Sequence, residues 1–378
     1  MSVLPRAGTI SFARGVPSPD MFPVALLAES ARRAVENDGR VALNYGPPSG
    51  YGPLRDWLGD RHGVPAERIF ITPGSLIALN FLVSHFARVG GRVVVEAPTY
   101  DRMLHSLGAA GAEIAAVDRG DDGLDLDALG RLAGEGPSVL YVMPTFHNPT
   151  GLSLTLEQRR QLAEFALARD LLVFEDDPYG LLRVEGEPLP HVHALLRDLG
   201  GDHLALFSSS FSKTVAPGLR VGYVILPEAL VAPFELIATR TYVSPPLLPQ
   251  AQLHDFLASG GLEPQLESLR SFLRPRRDAL FQALGEAMPE GARWTRPAGG
   301  YFLWLELPSA LDTVELSEHA QAAGVAYVPG TSFFHDDRGR EGARLSFSYP
   351  SVEEIRVGAS RLAGVVRQAM APARTAGS

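Results

Sequence analysis

The chain reads as an α/β protein: a three-layer fold with a mainly parallel central sheet, and a smaller α+β domain beside it. Three observations carry this expectation. Short apolar runs at 69–72, 92–96, 139–143, 171–175, 204–207 and 221–226 have the length and β-branched, aromatic or leucine-rich content of buried parallel strands. Stretches such as 75–88 and 156–169 lie between them, with apolar residues at three- and four-residue steps, as amphipathic helices require. Polar or glycine-rich residues follow nearly every run, at the carboxyl edge where open α/β sheets bind ligands.

In chain order, 69–72 is followed by Pro73-Gly74-Ser75, a turn opening the helix at 75–88. The run at 92–96 ends in Ala97-Pro98-Thr99-Tyr100, and 139–143 in Pro144-Thr145-Phe146-His147-Asn148-Pro149-Thr150-Gly151. The next two are closed by Asp176-Asp177-Pro178-Tyr179 and by a serine-rich loop around Lys213. From about Leu273 the pattern changes: a charged helix around Arg274-Pro275-Arg276-Arg277, a strand entered through Gly299-Gly300, and a closing helix at 352–370. We therefore expect a large domain at 41–272 and a small one from 1–40 and 273–378, with 371–378 frayed.

Composition narrows the function classes. With 46% apolar and 20% charged residues the chain has the content of a folded globular protein. A net charge of −9 without a basic block argues against nucleic-acid and anionic-membrane partners, leaving small molecules and copies of itself. The absence of cysteine excludes disulfides and thiolate chemistry. No run approaches the ~18 apolar residues of a membrane span, and the N-terminus lacks a signal-like core, so a cytoplasmic protein is expected. His191-Val192-His193 lacks a third ligand at metal spacing and reads as a solvated loop; 118–125 and His335-Asp336-Asp337 read as acidic turns. No metal site is expected.

Lys213 is the only lysine among 34 basic residues. Arginine cannot lose its proton and attack a carbonyl, so side-chain amine chemistry falls to Lys213. The surrounding loops supply what pyridoxal phosphate requires: an amine for the imine, a carboxylate for the pyridine nitrogen, donors to the phenolic oxygen and a phosphate cradle. Asp176 ends a buried strand and suits the nitrogen; Asn148 and Tyr179 suit the phenolic oxygen. The helix start Gly74-Ser75-Leu76, with Ser210, Ser212 and Arg220, suits the phosphate, and Tyr100 suits the ring face.

In this order the motifs resemble the fold-type I, pyridoxal-phosphate-dependent class I/II aminotransferases, nearest to their aminoadipate, kynurenine and aromatic branch. Asn148-Pro149-Thr150-Gly151, Glu175-Asp176-Asp177-Pro178-Tyr179, Ser210-Phe211-Ser212-Lys213 and Pro217-Gly218-Leu219-Arg220 carry the likeness. The resemblance implies an aminotransferase that moves an α-amino group from an L-amino acid to a 2-oxo acid. Lys213 would form the Schiff base and shuttle the proton. Arg344 would clamp the substrate carboxylate, helped by Asn148 and the backbone at Gly15, and Tyr45 would reach the neighbouring subunit's phosphate in a homodimer. Arg14 and His147 depart from the branch's glycine and glutamine; Arg14 would stand near the substrate entrance, and His147 would touch substrate or fill its loop. The same residues would also serve elimination, cyclisation or another reaction at Cα, and a non-catalytic effector-sensing domain is a further alternative.

Overall fold

The computed structural model describes residues 8–120, 122–134 and 138–371. The expected frayed end, apart from Ala371, lies outside the described residues, as do the first seven residues of the expected small domain. In chain order the strands are β1 (Ile10–Ser11), β2 (Ile69–Thr72), β3 (Arg92–Ala97), β4 (Ile114–Gly120), β5 (Gly123–Leu124), β6 (Ser138–Val142) and β7 (Leu172–Asp176). They continue with β8 (Ala205–Ser210), β9 (Gly222–Ile225), β10 (Arg293–Trp294), β11 (Phe302–Glu306), β12 (Val325–Ala326), β13 (Val328–Pro329) and β14 (Gly342–Ser346).

Eight of these form one sheet in the order β2-β9-β8-β7-β6-β3-β4-β5. Strand alternation sends its side chains to two faces. Val139 and Tyr141 of β6 join one apolar cluster, whereas Leu140 and Val142 join the other. Helices cover both clusters, which makes the three layers. The sheet is mainly parallel as expected, but the run at 221–226, read as a parallel strand, is not: β9 runs antiparallel to both β8 and β2. The lysine loop at 211–221 contains no crossover helix, and a direct return to a neighbouring strand is antiparallel.

The second sheet, β10-β11-β14-β13, is antiparallel throughout. β1 pairs with β12, tying the N-terminal segment to the C-terminal part. The helix Val24–Ala42 instead lies along Leu248–Ala258, joined by Arg33 to Asp255 and by Gln252 Nε2 donating to the Leu27 carbonyl at 2.9 Å. The charged helix is longer than expected, running unbroken over Leu262–Ala287 with Pro275 inside it. It packs on the closing helix Val352–Met370, whose start is fixed by a Ser351/Glu354 capping box.

Candidate active site

Most of the expected site residues come from the carboxyl ends of the parallel strands and the loops that follow. The helix Ser75–Arg88 begins directly after β2, with Gly74 at its N-cap at φ 90°. A Cβ on Gly74 would stand 2.2 Å from Arg220 Nη2, so only glycine admits the guanidinium there. Arg220, itself left-handed at φ 52°, donates to the Pro73 carbonyl at 3.1 Å. The Ser210 hydroxyl donates to Ser212 Oγ at 3.0 Å and accepts from the Ser212 amide at 3.1 Å. Packing of Gly222 against Ser75 brings the strand leaving this loop to the helix start. The first-turn amides, two hydroxyls and an arginine therefore belong to one corner of the fold, fitted in charge and donors to a phosphate.

On the next strands, Asp176 is buried at the end of β7. Tyr141 donates to its Oδ2 at 2.8 Å, while Oδ1 is buried without a partner. Burial pushes the Asp176 carboxyl up to about 7, against the donation from Tyr141. A pyridinium N–H at Oδ1 would satisfy the orphaned oxygen and favour the carboxylate. Lys213 Nζ donates to the Gly15 carbonyl at 2.7 Å and lies 5.9 Å from the ring centres of both Tyr179 and Tyr301. Tyr301 in turn donates from its hydroxyl to the Lys213 carbonyl at 2.8 Å. Burial, with Arg344 and Arg220 adding repulsion, brings the lysine amine down to about 8, so a useful neutral fraction exists near neutral pH.

Arg344 projects from β14 opposite Trp304. It donates to Asn148 Oδ1 at 2.9 Å and to the Ala13 carbonyl at 3.1 Å, and lies over the Phe302 ring at 4.2 Å. Its Nε is buried without a partner, leaving a donor for an incoming carboxylate. The loop bearing Asn148 is pressed against β11: a Cβ on Gly151 would come 2.2 Å from the Phe302 carbonyl. Tyr179 is buried edge-on to Phe302, and Tyr100 immediately precedes the helix Asp101–Ala110, with burial raising its hydroxyl pKa.

Three further expected residues have surroundings of their own. His147 packs inward, filling its loop. It is fully buried, its Nδ1 is 2.9 Å from Thr150 Oγ1 and its Nε2 is 3.4 Å from Glu96, which also accepts from Arg119 and from the Met143 amide. Burial and Arg119 hold its pKa well below the ordinary value, so it is a neutral ring filling the loop beneath Asn148. Arg14 stacks on Tyr349 at 4.8 Å. Tyr45 is 83% exposed.

The His191-Val192-His193 segment is not a solvated loop. His191 precedes the helix Val192–Asp198, His193 is buried, and the buried Glu175 accepts from the His193 amide at 2.8 Å. Although burial opposes it, Glu175 and Asp177 hold the His191 pKa raised. No cluster of three or more potential metal ligands occurs among the described residues, and no helix among them is long and apolar enough to cross a membrane. Sequence reasoning missed Tyr141, Tyr301 and the Glu96–Arg119 pair. Tyr141 sits in an unbroken apolar run and carried no signal of its own, and nothing in the sequence links Arg119 to Glu96.

A lone amine, a strand-end carboxylate with a free oxygen, a phosphate cradle and a buried arginine together define a pyridoxal-phosphate-dependent enzyme. Residues 8–362 match the aminotransferase class I and II family, and the chain belongs to it. It is 34% identical to aromatic-amino-acid aminotransferase 1 of Thermococcus litoralis, over 98% of this chain and 91% of that one. To 2-aminoadipate transaminase of Thermus thermophilus it is 37% identical, over 97% and 92% of the two chains. Among solved structures, α-aminoadipate aminotransferase from Thermus thermophilus, complexed with N-(5'-phosphopyridoxyl)-L-leucine, superposes with a TM-score of 0.90 at 36% identity, covering 96% and 93% of the chains. The chain is thus a pyridoxal-phosphate-dependent aminotransferase with amino acid and 2-oxo acid substrates. When bound, the cofactor supplies the electron sink that makes the substrate's α-proton removable.

Proposed function

We propose that Lys213 carries the cofactor through its amine and then moves the proton at the substrate's Cα. The carrying observation is that the chain's only side-chain amine, half-buried beside Tyr179, Tyr301 and the Gly15 carbonyl, has its pKa lowered to about 8. Asp176 would keep the pyridine nitrogen protonated, Asn148 and Tyr179 would donate to the phenolic oxygen, and Tyr100 would cover the ring. Gly74, Ser75, Leu76, Ser210, Ser212 and Arg220 would hold the phosphate. Arg344, with Asn148 and the Gly15 backbone, would hold the substrate's α-carboxylate. Arg14, next to Gly15 in sequence, would stand where the substrate's side chain enters and would favour an acidic one.

Three further parts belong to this reading. The chain works as a homodimer in which Tyr45 reaches the partner's phosphate; its 83% exposure supports a role outside its own subunit. The division is a large domain at 41–272 and a small one from 1–40 and 273–378, linked by the continuous helix Leu262–Ala287. The enzyme is cytoplasmic. The experiment is to mix cofactor-loaded protein with single amino acids and follow formation of one equivalent of oxo acid. Wild type should convert at least one donor stoichiometrically, and Lys213→Ala should be slower by roughly 10³-fold or more. Undiminished conversion by Lys213→Ala would refute the assignment.

A further inference from the structure

Resting on the reading of Asp176 above, we propose that Tyr141 is a positioning residue for the cofactor's pyridine nitrogen, acting through Asp176. Register makes the contact possible. Tyr141 of β6 pairs with Phe174 of β7, and Asp176 is two residues further along β7, on the same face. Diagonal neighbours across a sheet are within reach of a long aromatic side chain, so the phenol passes beyond Phe174 to the carboxylate. Its ring is held edge-on to Phe174 at 5.6 Å and 68°. Tyr141 is fully buried and Asp176 nearly so; the Ser208 side chain, opposite on β8, also lowers the carboxyl's pKa, and the 2.8 Å donation to Oδ2 comes from Tyr141.

The consequence is geometric and electrostatic. With Oδ2 engaged, rotating the carboxylate breaks a buried hydrogen bond, so Oδ1 stays as the acceptor left for a ring N–H. Donation to the charged form also favours the carboxylate over the acid, which leaves the shared proton on the nitrogen rather than on Asp176. The buried phenol, its pKa raised by desolvation and by Asp176, remains a donor throughout the working pH range. A tyrosine that merely filled the core would do neither.

The test is cofactor affinity of the apoprotein, read by quenching of protein fluorescence, in a double-mutant cycle of Tyr141→Phe and Asp176→Asn. Tyr141→Phe keeps the packed ring and should weaken binding roughly 10- to 100-fold, the loss expected for a hydrogen bond to a charged group. In the Asp176→Asn background the same change should have little further effect, since the partner is gone. Unaltered affinity in Tyr141→Phe, or an equal loss in both backgrounds, would overturn the role of Tyr141. An Asp176→Asn protein that binds as wild type does would overturn the reading of Asp176 itself, and this one with it. Should Tyr141→Phe fail to fold, 3-fluorotyrosine at position 141, a more acidic donor of nearly the same shape, should red- or blue-shift the bound cofactor's absorption; an unchanged spectrum contradicts the proposal.

Discussion

At the residue scale the site stores its specificity in polar atoms held without partners. Asp176 is the clearest case, because burial raises its carboxyl from 3.8 to about 7 before any ligand is added. In the cofactor-free protein, the folded state therefore binds more protons than the unfolded one between about pH 4 and 7, so stability falls as pH rises through that window and is lowest above it. Asp176→Asn removes the buried charge. Its apoprotein should melt higher than wild type at pH 8, by about 1–4 kcal/mol, with the gap closing towards pH 4, while its cofactor affinity drops. Thermal melts of both apoproteins at several pH values check this; a variant less stable at pH 8 than at pH 4 relative to wild type contradicts it. Lys213 was legible from a count, because one lysine among many arginines leaves one amine. Tyr141 was not, since a tyrosine inside Val139-Leu140-Tyr141-Val142 carries the same apolar signature as any core strand residue. His147 was ambiguous for the opposite reason: its polarity suggested a ligand contact, and only the buried Glu96 and Thr150 around it explain why it faces inward.

At the element scale, six of the eight central-sheet strands could be read to within a few residues, whereas β4 and β5 could not: the acidic stretch 118–125, read as a turn, holds the end of β4 and β5. β2 and the helix Ser75–Arg88 fall where periodicity put them, because an apolar run closed by Pro73-Gly74 leaves one place for the turn. What periodicity lacks is direction. The apolar content of 221–226 is the same whether the strand runs with its neighbours or against them, and the missing crossover decides it. The charged helix expected from about Leu273 begins earlier: Pro275 lies inside Leu262–Ala287, where propensity gives way to packing, and the helix buries Leu266, Leu269, Leu273, Leu280 and Leu284 along one side. In the run Ser244-Pro245-Pro246-Leu247-Leu248-Pro249-Gln250 the last proline suits the helix that follows. Pro249 sits in the first turn of Leu248–Ala258, where a missing amide hydrogen costs nothing.

At the scale of the whole molecule, the site joins distant parts of one chain. Arg344 of the C-terminal sheet meets Asn148 of the loop after β6 and the carbonyl of Ala13, which ties the chain's beginning to its end beside the proposed carboxylate site. In the proposed homodimer, Tyr45 would extend the same logic to a second subunit. Co-refolding Lys213→Ala with Tyr45→Ala subunits should recover about a quarter of wild-type activity, because half the dimers then contain one complete site. If Tyr45 serves its own subunit, the mixture stays inactive. These contacts depend on how the elements meet and could not be read from motifs alone, although the identity of most participants could. The central claim is that Lys213 alone bonds the cofactor, and borohydride reduction of the loaded enzyme followed by peptide mass mapping tests it most directly. The account predicts the reduced cofactor's mass on the peptide containing Lys213 and nowhere else; an unlabelled Lys213 peptide, or label at the chain's amino terminus, would contradict it.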